Sequence, residues 1–148
     1  MPSRRRLLGA ALLLPVFSIV AHPARATPAA MQAAIRELVG EAPLRQGRIK
    51  LEIAPLVENG NTVPVTLQAD SPMTAADHVR RMALFTEANP QPQVAVFHLG
   101  PRAGRAMVYT RMRLATSQAV TAIAEMSDGS LWQDSAQVIV TLAACVEG

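Results

Sequence analysis

The chain holds a single cysteine, Cys145, in the closing stretch "AQVIVTLAACVEG". A thiolate is both a nucleophile and a soft metal ligand, which makes Cys145 the first candidate for chemistry. A catalytic cysteine needs a base and an oxyanion site built around it. Only three residues follow this one, and the strand-like run "QVIVTL" ends just before it, so no catalytic residue is expected. A lone thiol cannot close an internal disulfide; it pairs with another molecule, stays free or carries something. From Thr141, an extended segment would hold Cys145 about 13–14 Å from the strand, at about 3.3–3.6 Å per residue. That geometry suits a covalent attachment point at Cys145, on a flexible arm of Ala143, Ala144, Val146, Glu147 and Gly148.

Other reactive groups form no pattern. There is no glycine-rich phosphate loop, no paired-histidine motif and no cysteine pair at metal spacing, so no metal site is expected. His78 starts a strand after a polar turn, and His98 follows Val94 and Val96 at alternating positions; both read as structural or surface residues. A Cys–His pair would need one of them beside Cys145. Methionine thioethers suit Cu(I), but Met107 and Met112 have opposite parity on one strand and the others are scattered. They read as core filling. Asp70, Asp77, Glu125 and Asp128 lie near turns and read as loop solvation, while Arg80-Arg81 and Arg111/Arg113 could give a basic strand face.

The opening "MPSRRRLLGAALLLPVFSIVAHPARA" has a basic run, an apolar run from Leu7 to Val20 and a closing "ARA". It reads as a secretory signal peptide over residues 1–26, removed after Ala26, and the expected location is the periplasm. The apolar run has 14 residues and contains Pro15. That is short of the roughly 20 residues a spanning helix needs, so no stable membrane anchor is expected. "SRRRLL" fits the twin-arginine export pattern, and its three arginines also suit an ordinary Sec signal. Of 14 Lys+Arg, four lie in this segment with none of the 11 acids, so the remainder is near neutral. The pI of about 10.0 therefore belongs to the leader and makes no case for nucleic-acid binding.

The elements behind Cys145 follow from periodicity. "TPAAMQAAIRELVGEAPL" predicts one helix, capped by Thr27, with Pro28 in its first turn and Gly40 as its stop. Met31, Ile35, Leu38 and Val39 make an apolar stripe, which could lie on the chain's own sheet or cover a partner. From Arg48 the period becomes two. "RIKLEIAPLVENGNTVPVTLQAD" reads as a hairpin turning at Asn59-Gly60, with Pro55 and Pro64 at a sheet edge or beside a bulge. Further strands are expected in "HVRRMALFTEA", "QVAVFHLGP", "AMVYTRMRLAT", "AVTAIAEMSDGS" and "AQVIVTLA". About seven strands without intervening helices predict a mainly β protein, an immunoglobulin-like antiparallel β-sandwich over residues 27–142, with the arm as residues 143–148.

An exported chain with a helix, such a sandwich and a strand leading into a C-terminal cysteine resembles the SoxY family. The segment from Leu84 to Trp132, and "VIVTL" before the thiol, carry the likeness. The family is that of sulfur carriers in periplasmic thiosulfate oxidation. The resemblance implies a SoxZ-like subunit as heterodimer or higher-assembly partner, exported on this chain's signal. It implies transient partners as well: the c-type cytochrome SoxAX, the hydrolase SoxB and a sulfane dehydrogenase. It also implies no enzyme activity of its own and no cofactor beyond sulfur intermediates covalently held on Cys145. The family tail is typically Gly-Gly-Cys-Gly-Gly, whereas here Ala143-Ala144 precede the thiol and Val146-Glu147-Gly148 follow. Alanine and β-branched valine make a stiffer, wider arm than glycine. Glu147 sets a carboxylate near the sulfur, which disfavours both thiolate and anionic cargo. The competing reading is a periplasmic interaction protein whose cysteine makes one intermolecular disulfide; a copper-binding module is a third.

Overall fold

The helix begins where its cap chemistry predicts. Thr27 Oγ1 accepts from the Ala30 N–H at 3.1 Å, Pro28 opens α1 (Pro28–Val39), and Gly40 closes it with φ +78° and its N–H on the Arg36 carbonyl. These bonds satisfy groups that a helix end otherwise leaves orphaned. The computed structural model describes residues 26–144; the signal-peptide reading of residues 1–26 lies almost wholly outside them, as do Cys145, Val146, Glu147 and Gly148. Among the described residues no helix is long and apolar enough to cross a membrane.

Nine strands follow: β1 (Leu44–Gln46), β2 (Ile49–Ile53), β3 (Leu56–Asn59), β4 (Val63–Ala69), β5 (Val79–Thr86), β6 (Gln93–His98), β7 (Met107–Met112), β8 (Gln118–Met126) and β9 (Leu131–Leu142). They form the expected immunoglobulin-like sandwich. One sheet runs β1-β9-β8-β5-β6, with β3 also on β9, and the other runs β2-β4-β7. Alternation holds where one face is wet: along β4 the residues Val63, Val65, Leu67 and Ala69 are buried, with exposed Pro64 and Gln68 between them. In β5 and β8 nearly every residue is buried. The reason is that the large sheet is covered on both faces. The small sheet packs on one, through Val65, Leu67, Met82, Leu84, Val120 and Ala122. On the other lies α1, whose Met31 and Ile35 press on Ala83, Phe85 and Ile123.

Three local readings change. β1 and β3, too short to announce themselves, raise the count from about seven to nine, and both pair with β9 in parallel, so the sandwich is not wholly antiparallel. The stretch turning at Asn59-Gly60 is no hairpin: β2 pairs with β4, while β3 crosses to the other sheet. Pro64 lies in the middle strand of its sheet rather than at an edge. It is tolerated because pairing with β2 stops at Val65, so β4 is flanked there by β7 alone.

The acids also do more than solvate loops. Glu125 receives Arg81 Nε and Arg80 Nη1, and Arg81 Nη2 donates to the Leu38 carbonyl at 2.7 Å, tying the end of α1 to β5. Asp77 pairs with Arg48 at 3.3 Å. In the turn before β9, bonds from the Ser130 hydroxyl and N–H hold the Asp128 carboxyl below the usual carboxylate range. Five methionines (Met31, Met73, Met82, Met112 and Met126) are buried in the core, with Met107 exposed.

The helix is thus a cover for its own sheet. Ile35→Ala should destabilise the isolated chain by about 2–4 kcal/mol in urea unfolding, the cost of a buried cavity. A helix that served only to cover a partner would leave that stability unchanged, and such a result would refute this packing.

Candidate functional site

The described chain nearest the thiol in sequence is the end of β9. The strand runs past its neighbour: β8 pairs with it only from Leu131 to Val138. The last four residues are held by β3 instead, with Leu56 opposite Ile139, Val57 opposite Val140 and Asn59 opposite Leu142. Side chains complete the hold. The Val140 N–H donates to Ser117 Oγ at 2.9 Å, and Thr141 Oγ1 donates to the Glu58 carbonyl at 3.2 Å.

Beyond Leu142 the backbone stays attached. The Gly60 N–H donates to the Leu142 carbonyl at 2.8 Å, the Leu114 N–H donates to the Gly60 carbonyl at 2.8 Å, and the Ala144 N–H donates to the Leu114 carbonyl at 3.2 Å. These bonds make a three-chain clamp with Gly60 at its centre. Gly60 does not adopt a left-handed φ. A glycine stands there because of close approach: a Cβ would fall on the Leu114 carbonyl oxygen and lie 3.0 Å from both Ala144 N and Val140 Cγ1.

Asn89 braces the clamp from behind. Its Oδ1 accepts from the Ala115 N–H and from Gln118 Nε2, both at 2.9 Å, and its Nδ2 donates to the Arg113 carbonyl at 2.8 Å. The residues on either side of Leu114 are thereby held. The Asn89 carbonyl also accepts from the Ala26 N–H at 3.1 Å, so the start of the domain and the root of the tail share one end of the sandwich.

Of the arm residues expected from the sequence, Ala143 is exposed and Ala144 is buried. The chain is thus still held to the domain three residues past the expected Thr141 departure point, by backbone bonds at Leu142 and Ala144 and by burial of the Ala144 methyl.

Neither histidine shares this end. His78 and His98 precede β5 and close β6 at the far end, with His98 opposite Arg81. Eight residue steps of β8 separate Gln118 from Met126, roughly 26 Å at about 3.3 Å per residue. Among the described residues no three of His, Cys, Asp and Glu gather as a metal site. The residues that sequence reasoning missed are Gly60, Asn89, Leu114 and Ser117. The first two sit in turn-type stretches that announce a loop, and nothing in their spacing announces what the loop touches.

A family model described as sulfur oxidation protein SoxY matches residues 35–145. Among solved structures, the sulfur carrier protein SoxY from Chlorobium limicola f thiosulfatophilum aligns with a TM-score of 0.64 and 29% identity. The alignment covers 76% of this chain and 96% of that one. The superoxide reductase (neelaredoxin) of Ignicoccus hospitalis aligns with a TM-score of 0.56 at 18% identity, covering 78% of this chain and 94% of that one. The superoxide reductase of Nanoarchaeum equitans aligns with a TM-score of 0.55 at 12% identity, covering 65% and 100%. With the two reductases the likeness is one of fold alone. No curated protein matches the sequence.

The clamp makes a direct prediction. Gly60→Ala should cost about 1–3 kcal/mol of stability through the forced contact with backbone. It should also speed hydrogen exchange at the Leu114 and Ala144 amides. Wild-type stability together with wild-type exchange at those amides would show that Gly60 is not the centre of the hold.

Proposed function

This chain belongs to the SoxY family, and on that premise we propose that it is a periplasmic sulfur carrier holding thiosulfate-derived intermediates covalently on Cys145. The observation that carries the reading is the family match, which runs through to Cys145. Support comes from the fold: β9 and the clamp hold the chain as far as Ala144, the residue before the thiol.

The chemistry belongs to partners. Thiosulfate joins the Cys145 thiol through a new S–S bond, with loss of one proton and two electrons; a SoxAX-type cytochrome takes the electrons. The product is a cysteine S-thiosulfonate. Water then attacks the terminal sulfonate sulfur in a SoxB-type hydrolase. This releases sulfate and a proton and leaves a persulfide on Cys145. A sulfane dehydrogenase or a storage route consumes that sulfur. A SoxZ-like subunit completes the carrier and reaches the periplasm on this chain's signal.

The altered tail sets limits on the arm. With Ala144 packed and bonded, entry of the thiol into a deep active site requires the Ala144–Leu114 bond to open, a cost of about 0.5–1.5 kcal/mol for one hydrogen bond. A shallow active site needs no such opening.

The test is the non-reducing intact mass of the protein from cells oxidising thiosulfate, before and after a thiol reductant. Reductant-labile additions matching sulfur or thiosulfonate, absent in Cys145→Ala, are expected. A bare thiol under turnover would sink the carrier reading, and so would a disulfide-linked dimer, which would favour an interaction protein.

A further inference from the structure

Two of the chain's three histidines, twenty positions apart in sequence, meet in one open cleft at the end of the sandwich remote from the arm. The cleft has a volume of about 490 Å³, and His78, Arg80, Arg81, His98, Leu99 and Glu125 line it. Its charged and titratable groups are Arg80 and Arg81 from β5, Glu125 from β8, His98 from β6 and His78 from the loop before β5. The helix α1 contributes the Leu38 carbonyl to Arg81.

Consecutive strand residues normally point to opposite faces. Here the register between β5 and β8 shifts between Val79 and Arg81, and both arginines reach the same carboxylate. A bulge of this kind re-aims a side chain at a cost in ladder pairing. The two pairs are unequal. Arg81 is engaged through Nε and Nη2, whereas Arg80 makes one 3.5 Å contact with Glu125 and its side chain is 59% exposed. Among the described residues Arg80 has no other side-chain partner, which leaves most of its donors available. His78 Nδ1 lies 3.0 Å from the Thr74 carbonyl, an acceptor only, so that nitrogen carries the proton and the ring is held in place. His98 is exposed, with its ring unbonded among the described residues.

Two guanidinium groups against one carboxylate give the cleft a net positive charge even with neutral imidazoles. A metal cation would meet that charge and find its only carboxylate already paired. A tetrahedral oxyanion meets donors that match it, since guanidinium groups bind such anions through paired N–H groups. We propose that this cleft binds a small tetrahedral dianion, of the chemistry shared by sulfate, thiosulfate and phosphate. The site does not use the thiol and stands apart from the carrier reading.

The test uses the full chain, labelled with ¹⁵N and titrated with sodium sulfate, thiosulfate and phosphate, against sodium chloride at matched ionic strength. Saturable shifts should gather at residues 78–81 and 98–100. Affinity should fall at least about tenfold in Arg80→Ala, the loss expected for a charge-assisted bond, and should fall also in His98→Gln. Cys145→Ala should bind as wild type does, which separates this site from the carrier chemistry. The relative affinities of the three anions then identify the source. Shifts equal to those in chloride, or binding unchanged in both Arg80→Ala and His98→Gln, would overturn the proposal. Both substitutions fall on exposed side chains, and matched thermal unfolding confirms that each variant is folded.

Discussion

The backbone of β9 is bonded along both edges, and the rest of the molecule is arranged around that fact. β8 takes one edge over the first two-thirds of the strand, while β1 and β3 share the other in parallel. Between them the chain leaves to build β2 in the facing sheet, and even there the Leu51 N–H returns to Asp134 on β9 at 2.8 Å. A strand so held cannot slip by one residue without turning its buried Val138 to the face that carries exposed Ile139. Its register therefore sets the place where the chain leaves the domain, and with it the origin of the tail that bears Cys145.

The two ends of the sandwich then differ in kind. At the arm end, backbone meets backbone: Gly60, Leu114 and Ala144 bond in series, and Asn89 stiffens the loop that holds Leu114. No ionised side chain takes part in that clamp. At the other end, side chains carry the structure: Arg81 joins helix to sheet, Arg48 joins Asp77 and lies over the Trp132 ring at 6.0 Å, and Arg80 is left with donors to spare. Near the arm end Leu56 and Ile139, opposite each other on β3 and β9, are exposed, and so is Leu142 at the end of β9.

Much of the framework was legible in the chain itself. Thr27, Pro28 and Gly40 mark one helix because capping is local chemistry, decided within four residues. The alternation of β4 and β7 is visible because those strands keep one face in water, as with exposed Tyr109 between half-buried Val108 and Thr110. β1 and β3 were not legible, since three or four residues carry no period and their partner lies some 80 positions away. The pairing of Arg80 and Arg81 on Glu125 was hidden for a related reason: a register shift belongs to the fit between two strands and to neither strand alone.

The sequence by itself determined the helix and the seven longer strands, that the only thiol follows the last strand, and which family the residues resemble, because each rests on composition and short-range order. Only the tertiary structure decided that Ala144 belongs to the domain, that Gly60 is a point of close approach rather than the tip of a hairpin, and that His78 and His98 share a cleft with two arginines. These depend on contacts between residues far apart in the chain, and such contacts exist only once the two sheets have closed on their common core.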